Sequence, residues 1–476
     1  MSKTSHIQGN KGISIRNKLR NIDFNQVLVI AIDPGKFFPK ALTCNYYGEI
    51  IQKPFFFHID KKGFNILTSN IETAAEKINA QKILVGVEAT GHYHQKIVQY
   101  LNDNDYDVLI INASTTSDIR SENLNWSKTD DIDLYAIATA ITENKITESY
   151  LPQGVYQKLL RLTRNRRHEV NNRSRIKIKI RTFMDHIWPN FQGESKLSNQ
   201  NNNSKSVNNI FSDFWSKSSV CIMENYPHPT QILKLGAEGL KNLSKEHELK
   251  MRQSTINKLL AFAKNAYTQP VEVLNTEITL LKKKIEDLKH TNDKITYLNE
   301  KIEELFVKTP GILLLSLPGI SVVIGSEFTA ELGPVENYDY AKQIIKRAGT
   351  NPVVKESGGK KPIYGSISKQ GNPKFRRVIY LAGKTLKRHN PYFKIFAERL
   401  NSKGKSGKQV SIACGNKFIK VAFAMLKRKE FFHPPKWDGE PLTKNVYKKL
   451  SDDDNITEAR KTLIKELELN PEKFVS

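Results

Sequence analysis

Three compact apolar runs, each of strand length, constrain this chain more than any other feature. Residues 26–33 read QVLVIAID, 82–88 read KILVGVE and 107–112 read DVLIIN. Short runs of this kind, apolar without alternation, are the pattern of strands buried on both faces. Two further β-rich runs, 40–46 and 49–57, flank a Tyr47-Gly48 turn and predict a hairpin. Helical spacing at 71–78 and 94–101 fills the intervals. A hairpin followed by strands alternating with helices predicts a three-layer α/β domain over 26–150. Its first and second compact runs end on Asp33 and Glu88, at the strand ends where open sheets place their sites.

Downstream the pattern becomes helical. Between Lys158 and Arg181 lie ten Lys/Arg and one acid, Glu169. Such a helix repels itself unless a polyanion covers it, so Arg161, Arg164, Arg166, Arg167, Arg173 and Arg175 are read as nucleic-acid contacts. The Asn/Ser-rich stretch 193–220 predicts a flexible or inserted loop. Over 272–305, Leu274, Ile278, Leu281, Ile285, Leu288, Ile295 and Ile302 recur at three- and four-residue steps, with Asn292 and Asn299 at the intervening core positions. The spacing predicts a coiled coil with polar register-setting residues, or equally an intramolecular antiparallel hairpin. The middle segment therefore spans 151–308, and a second compact unit rich in Gly turns spans 309–432. A basic tail (1–25) and a mixed-charge tail (433–476) complete the chain.

The formal net charge of the 476 residues is +25. It is unevenly spread: residues 26–150 hold 11 basic against 16 acidic side chains, whereas 340–430 hold 23 against 3. The excess favours a polyanionic partner, nucleic acid ahead of a membrane surface. No apolar run is long enough to span a bilayer, and the basic N-terminal residues lack the apolar segment of a secretory signal. Cys44, Cys221 and Cys414 are too scattered for a disulfide framework or a zinc finger, which fits a cytoplasmic protein.

Two constellations carry chemistry. Asp33 and Glu88 end strands expected to be neighbours, while Asp130 and Asp133 open a helix three residues apart and share a face. Converging acids without Cys or His partners form a hard oxygen site suited to Mg²⁺ or Mn²⁺, and two such ions can assist displacement at a phosphate ester. The plain alternative is a set of solvent-facing acids, with Asp130 at a helix N-terminus. In the second constellation, Ser357 precedes Gly358-Gly359, where backbone can approach a substrate, and Lys355, Lys360, Lys361, Lys369, Arg376 and Arg377 surround it in sequence. No His is near to act as base, and Ser366 or Ser368 could supply the hydroxyl instead.

Together these motifs resemble the transposases of the insertion-sequence one-ten class and their relatives, the Piv-type DNA invertases. The resemblance rests on IDPGK (Asp33), VEATGHY (Glu88) and KTDDIDLYAIA (Asp130, Asp133), then on LPGI (317–320), SGGK (357–360), SISKQGNPKFRR (366–377) and NPYF…KGKSGKQ (390–409). It departs from the family at Ser321, where a second glycine is usual, and at the additional acid Asp131. It implies an RNase H/RuvC-like DEDD domain, long coiled-coil helices and a mainly helical C-terminal transposase domain. The implied activity is recombination of donor and target DNA guided by a noncoding bridge RNA. The four acids would bind Mg²⁺, and Ser357 would attack the phosphodiester to give a covalent phosphoserine–DNA intermediate in a site composed from both domains. A homodimer pairing into a tetramer, in a bacterial or archaeal cytoplasm at the nucleoid, is also implied. Two other readings use the same residues: a RuvC-like junction nuclease that hydrolyses with water, and a non-catalytic RNA-binding scaffold.

Overall fold

A computed structural model describes residues 15, 19, 21–89, 91–122, 129–146, 152–196, 206–355 and 363–432. The chain divides into two compact units, 1–152 and 153–476. Residues 26–150 fall in the first unit, and residues 153–308 and 309–432 in the second.

In the first unit β1 (Val27–Asp33), β2 (Lys40–Asn45) and β3 (Ile50–Phe56) form an antiparallel meander. β4 (Lys82–Glu88) lies parallel beside β1 and β5 (Asp107–Ile111) parallel beside β4, giving the order β3-β2-β1-β4-β5. Helices cover both faces. Leu28, Ile30 and Ile32 of β1 pack with α1 (Lys61–Lys77) and α2 (His94–Asp103), whereas Val27, Val29 and Ala31 pack with α3 (Ala113–Glu122) and α4 (Asp130–Thr142). This is the expected three-layer arrangement, and it explains why β1 is apolar without alternation. One expectation needs correction at its edge: Ile15 and Leu19, inside the supposed basic tail, are buried in the core beneath α4. An apolar pair four residues apart can dock even when the residues around it are charged.

Gly86 sets how closely α4 approaches the sheet. A Cβ at this position would lie 2.5 Å from Ile141 Cδ1 and 2.9 Å from Ile111 Cδ1. Gly86→Val is therefore expected to overpack this layer and destabilise the protein by about 1–3 kcal/mol. Urea unfolding should show a lower midpoint with an unchanged slope.

The second unit begins with α5 (Gly154–Ile187), followed by a short hairpin of β6 (Glu194–Lys196) and β7 (Ser206–Asn208) and by α6 (Lys217–Asn225), α7 (Pro229–Glu246), α8 (Gln253–Lys264) and α9 (Asn275–Phe306). α9 packs along α5 in the same chain and runs antiparallel to it, since Arg166 donates to Asn299 and Arg173 to Asn292. The apolar stripe of α9 is buried within this unit, with Leu281, Ile285 and Leu288 in one core with Ile180, Met184 and Ile222. Its seam also differs in register from the expectation. Thr291 and Leu298 are buried, not Asn292 and Asn299. A strict seven-residue repeat would have buried two amides and exposed Leu298; a three-residue step from Leu288 to Thr291 keeps the leucine inside. Of the stretch 193–220, expected to be a flexible or inserted loop, residues 197–205 lie outside the described residues, and 209–220 pack into the unit. Ile210 is buried, and Phe211, Phe214 and Trp215 pack against the core containing Trp188 and Phe191.

A 3₁₀ turn (Pro310–Ser316) leads to α10 (Val322–Leu332), α11 (Ala341–Ala348), the antiparallel pair β8 (Pro352–Lys355) and β9 (Ile363–Ile367), then α12 (Pro373–His389), α13 (Pro391–Asn401) and α14 (Gly407–Arg428). Glycines let α12 and α14 approach: a Cβ on Gly383 would fall 2.0 Å from the Ser411 carbonyl oxygen. Cys44, Cys221 and Cys414 are free and buried, and burial pushes the Cys44 thiol up to about 12. Among the described residues, no helix is long and apolar enough to cross a membrane.

Candidate active site

β1 and β4 bring Asp33 and Glu88 side by side. Ile32 pairs with Val87 in the parallel register, so the next residues on each strand are Asp33 and Glu88. Residues two apart on a strand share a face, which places both acids with Ala31 and Gly86 on the side covered by α4. Glu88 is buried and accepts a 2.9 Å hydrogen bond from the Thr116 hydroxyl of α3. α4 opens on this same side of the sheet. Thr129 caps it, its side chain accepting from the Ile132 amide, so Asp130 is in the first turn rather than at the cap.

The four acids do not converge as expected. Asp133 is buried and ion-paired with Arg120 of α3, while Asp130 is exposed. The extra acid Asp131 pairs with Lys40, which lies opposite Asp33 in the β1–β2 register. Among the described residues no group of three or more His, Cys, Asp or Glu is placed to hold a metal ion. Asp33 and Glu88 suit a hard divalent cation, but the full set does not fit one while Arg120 engages Asp133.

In the second unit Ser357, Lys360 and Lys361 lie outside the described residues. The strands flanking them, β8 and β9, pair antiparallel, and the base of that hairpin is tied down. Ser368 donates to Asn351 at 2.8 Å, and buried Thr350 donates to Asn416 of α14 at 2.6 Å. Ser368 thus has a structural partner, whereas Ser366 is exposed on β9. Ser321, the departure from the glycine pattern, caps α10 by accepting from the Ile324 amide.

Several cations expected to grip nucleic acid have partners inside the protein. Arg164 forks onto Glu331 with two 2.9 Å hydrogen bonds, and Asn372 at the start of α12 donates to the same carboxylate at 2.7 Å. Arg377 donates to Glu327 at 3.0 Å, with Arg166 3.9 Å from that carboxylate. Arg376 donates to the carbonyls of Ala348 and Lys369. Burial lowers the Arg166 and Arg167 pKa values, opposed in each case by Glu327. These guanidiniums clamp α5, α10 and α12 together. Glu327 and Glu331, both buried, were missed in the sequence, although two acids one turn apart in the apolar run SVVIGSEFTAELG signal cationic partners. Lys369 is exposed with a left-handed backbone, φ 55°.

Residues 30–189 match the transposase family defined by the DEDD domain of IS110, and residues 312–398 match the Transposase IS116/IS110/IS902 family. The chain belongs to the IS110-class transposases. The 44.8 kDa protein of insertion element IS116 from Streptomyces clavuligerus is 23% identical over 416 residues, 85% of this chain and 96% of the relative. The 42 kDa protein of IS900 from Mycobacterium paratuberculosis is 28% identical over 26% of this chain and 31% of its own length. The pilin gene-inverting protein of Moraxella bovis is 26% identical over 31% of this chain and 48% of its own length. For this transposase, Asp33, Glu88, Asp130, Asp133 and α5 fall in the first matched segment and Ser357 in the second. The 193–220 stretch and α9 fall in neither.

Proposed function

We propose that this transposase excises and inserts its element by cutting and rejoining DNA strands through Ser357, with Asp33, Glu88, Asp130 and Asp133 required for cleavage and a noncoding RNA choosing the sites. The observation that carries the reading is that Asp33 and Glu88 each follow the last paired residues, Ile32 and Val87, of adjoining parallel strands in a segment that matches the family. The strand order, with its antiparallel meander and two parallel additions, supports an RNase H/RuvC-like description of the first unit.

In this mechanism the Ser357 oxygen forms a bond to phosphorus as the bond to one sugar oxygen breaks. The hydroxyl proton leaves and the departing sugar oxygen gains one. The phosphoserine ester conserves the bond, so a second strand's hydroxyl can displace serine and complete exchange without an external energy source. The basic residues of 340–430 supply the field that draws phosphate toward this serine. Asp33 and Glu88 would be the residues to hold Mg²⁺ or Mn²⁺, which when bound would lower the pKa of a coordinated hydroxyl. Arg120 and Lys40 meanwhile balance part of the acids' charge.

The test is strand exchange on paired donor and target duplexes with transcripts of the element's noncoding flank. Exchange is expected only when the transcript is present, and ribonuclease treatment before mixing should remove it. Efficient, site-specific exchange by protein and DNA alone would overturn RNA guidance.

A further inference from the structure

We infer that the groove between α5 and α9 binds the phosphodiester backbone of a nucleic acid, a subsite that neither helix displays alone. The inference rests on the proposed action on nucleic acid. The groove is a cavity of about 390 Å³ whose walls carry Asn172, Arg175 and Lys179 from α5 and Lys284, His290 and Lys294 from α9. Its floor includes Ile176 and Thr291, both buried.

The charge balance identifies the ligand. Four lysine and arginine side chains line the groove against one carboxylate, Asp287, and that carboxylate is already paired with Lys284. Arg175, Lys179 and Lys294 have no ion-pair partner among the described residues. The contrast with the other end of the same helix pair is informative, because there Arg164 and Arg166 face the buried acids Glu331 and Glu327. Three uncompensated cations held at one groove by a packed helix pair repel one another, and a line of phosphates relieves that repulsion. A cavity between the helices also admits a strand more closely than a flat basic surface does. The sequence could not reveal this, since Lys284 and Lys294 lie about a hundred residues from Arg175 and meet it only because α9 folds back along α5.

The test uses the full chain and fluorescence anisotropy with an RNA hairpin and, separately, a DNA duplex, each titrated at several salt concentrations. Lys179→Gln/Lys294→Gln should weaken binding to the nucleic acid that occupies the groove. Its slope of log affinity against log salt should become shallower by about 1.5 to 2. A change with RNA alone, DNA alone or both identifies the source of the phosphates. Lys283→Gln/Lys301→Gln removes the same charge from α9 outside the groove, where each lysine already pairs with a glutamate, and should leave the slope unchanged. Thermal unfolding of both variants should match the parent. Equal changes in the two variants, or no change in the groove variant while the parent binds, would overturn the groove. A parent chain that binds neither RNA nor DNA would overturn the functional reading with it.

Discussion

Asp33→Asn and Glu88→Gln, made singly, are expected to lower DNA strand cleavage on the order of a thousandfold, the scale lost when a charged group of an active site is removed. Nucleic-acid affinity should change little, because neither carboxylate would supply a favourable contact to a phosphate. The two substitutions preserve shape. In Glu88→Gln the new amide oxygen would still accept the Thr116 hydrogen bond, so the strand end should keep its geometry. Asp133→Asn is a less clean probe, since it also strips the buried Arg120 ion pair of its charge. Cleavage within a few-fold of the parent in both Asp33→Asn and Glu88→Gln would remove the acids from the chemistry. Loss of the melting transition in either variant would show a structural defect, and circular dichroism separates that outcome from a catalytic one.

Ser357→Ala should abolish strand exchange altogether, since the variant has no hydroxyl at this position to conserve the phosphodiester bond as a serine ester. The same change distinguishes the transposase mechanism from hydrolysis: a nuclease that uses water would go on nicking its substrate. Ser366→Ala and Ser368→Ala are the controls. Ser368 donates to Asn351 at the base of the β8–β9 hairpin, so its removal should cost about 1 kcal/mol of stability and leave exchange intact. Loss of exchange in Ser366→Ala with full activity in Ser357→Ala would move the nucleophile along the loop.

The legibility of this protein from its sequence follows the range of the interactions. The compact runs at β1, β4 and β5 were readable because both-face burial imposes a local pattern, and β4 spans the expected Lys82–Glu88. The neighbourhood of Asp33 and Glu88 was readable for the same reason. What was not readable depended on distant partners. The heptad count placed Asn292 in the seam, but the seam is chosen by what α5 offers, and α5 offers Arg173 to that amide. Likewise, Arg164 and Arg377 look like nucleic-acid ligands by charge density alone. Only the fold shows that buried Glu331 and Glu327 have claimed them. Helix spacing put Asp130 and Asp133 on one face, but spacing could not show Arg120 standing at Asp133. Composition misled at 210–215, where three aromatic side chains among polar neighbours were enough to anchor the segment.

The central claim is a covalent bond between Ser357 and DNA, and mass spectrometry of a quenched reaction tests it most directly. Protein, RNA and DNA would be mixed, stopped with denaturant, then digested with nuclease and trypsin. The expected product is the peptide Glu356–Lys360 (ESGGK) carrying a nucleotide through a phosphate on its single serine, absent from Ser357→Ala. Cleaved DNA with no protein adduct at any quench time, or an adduct on a different residue, would contradict the account.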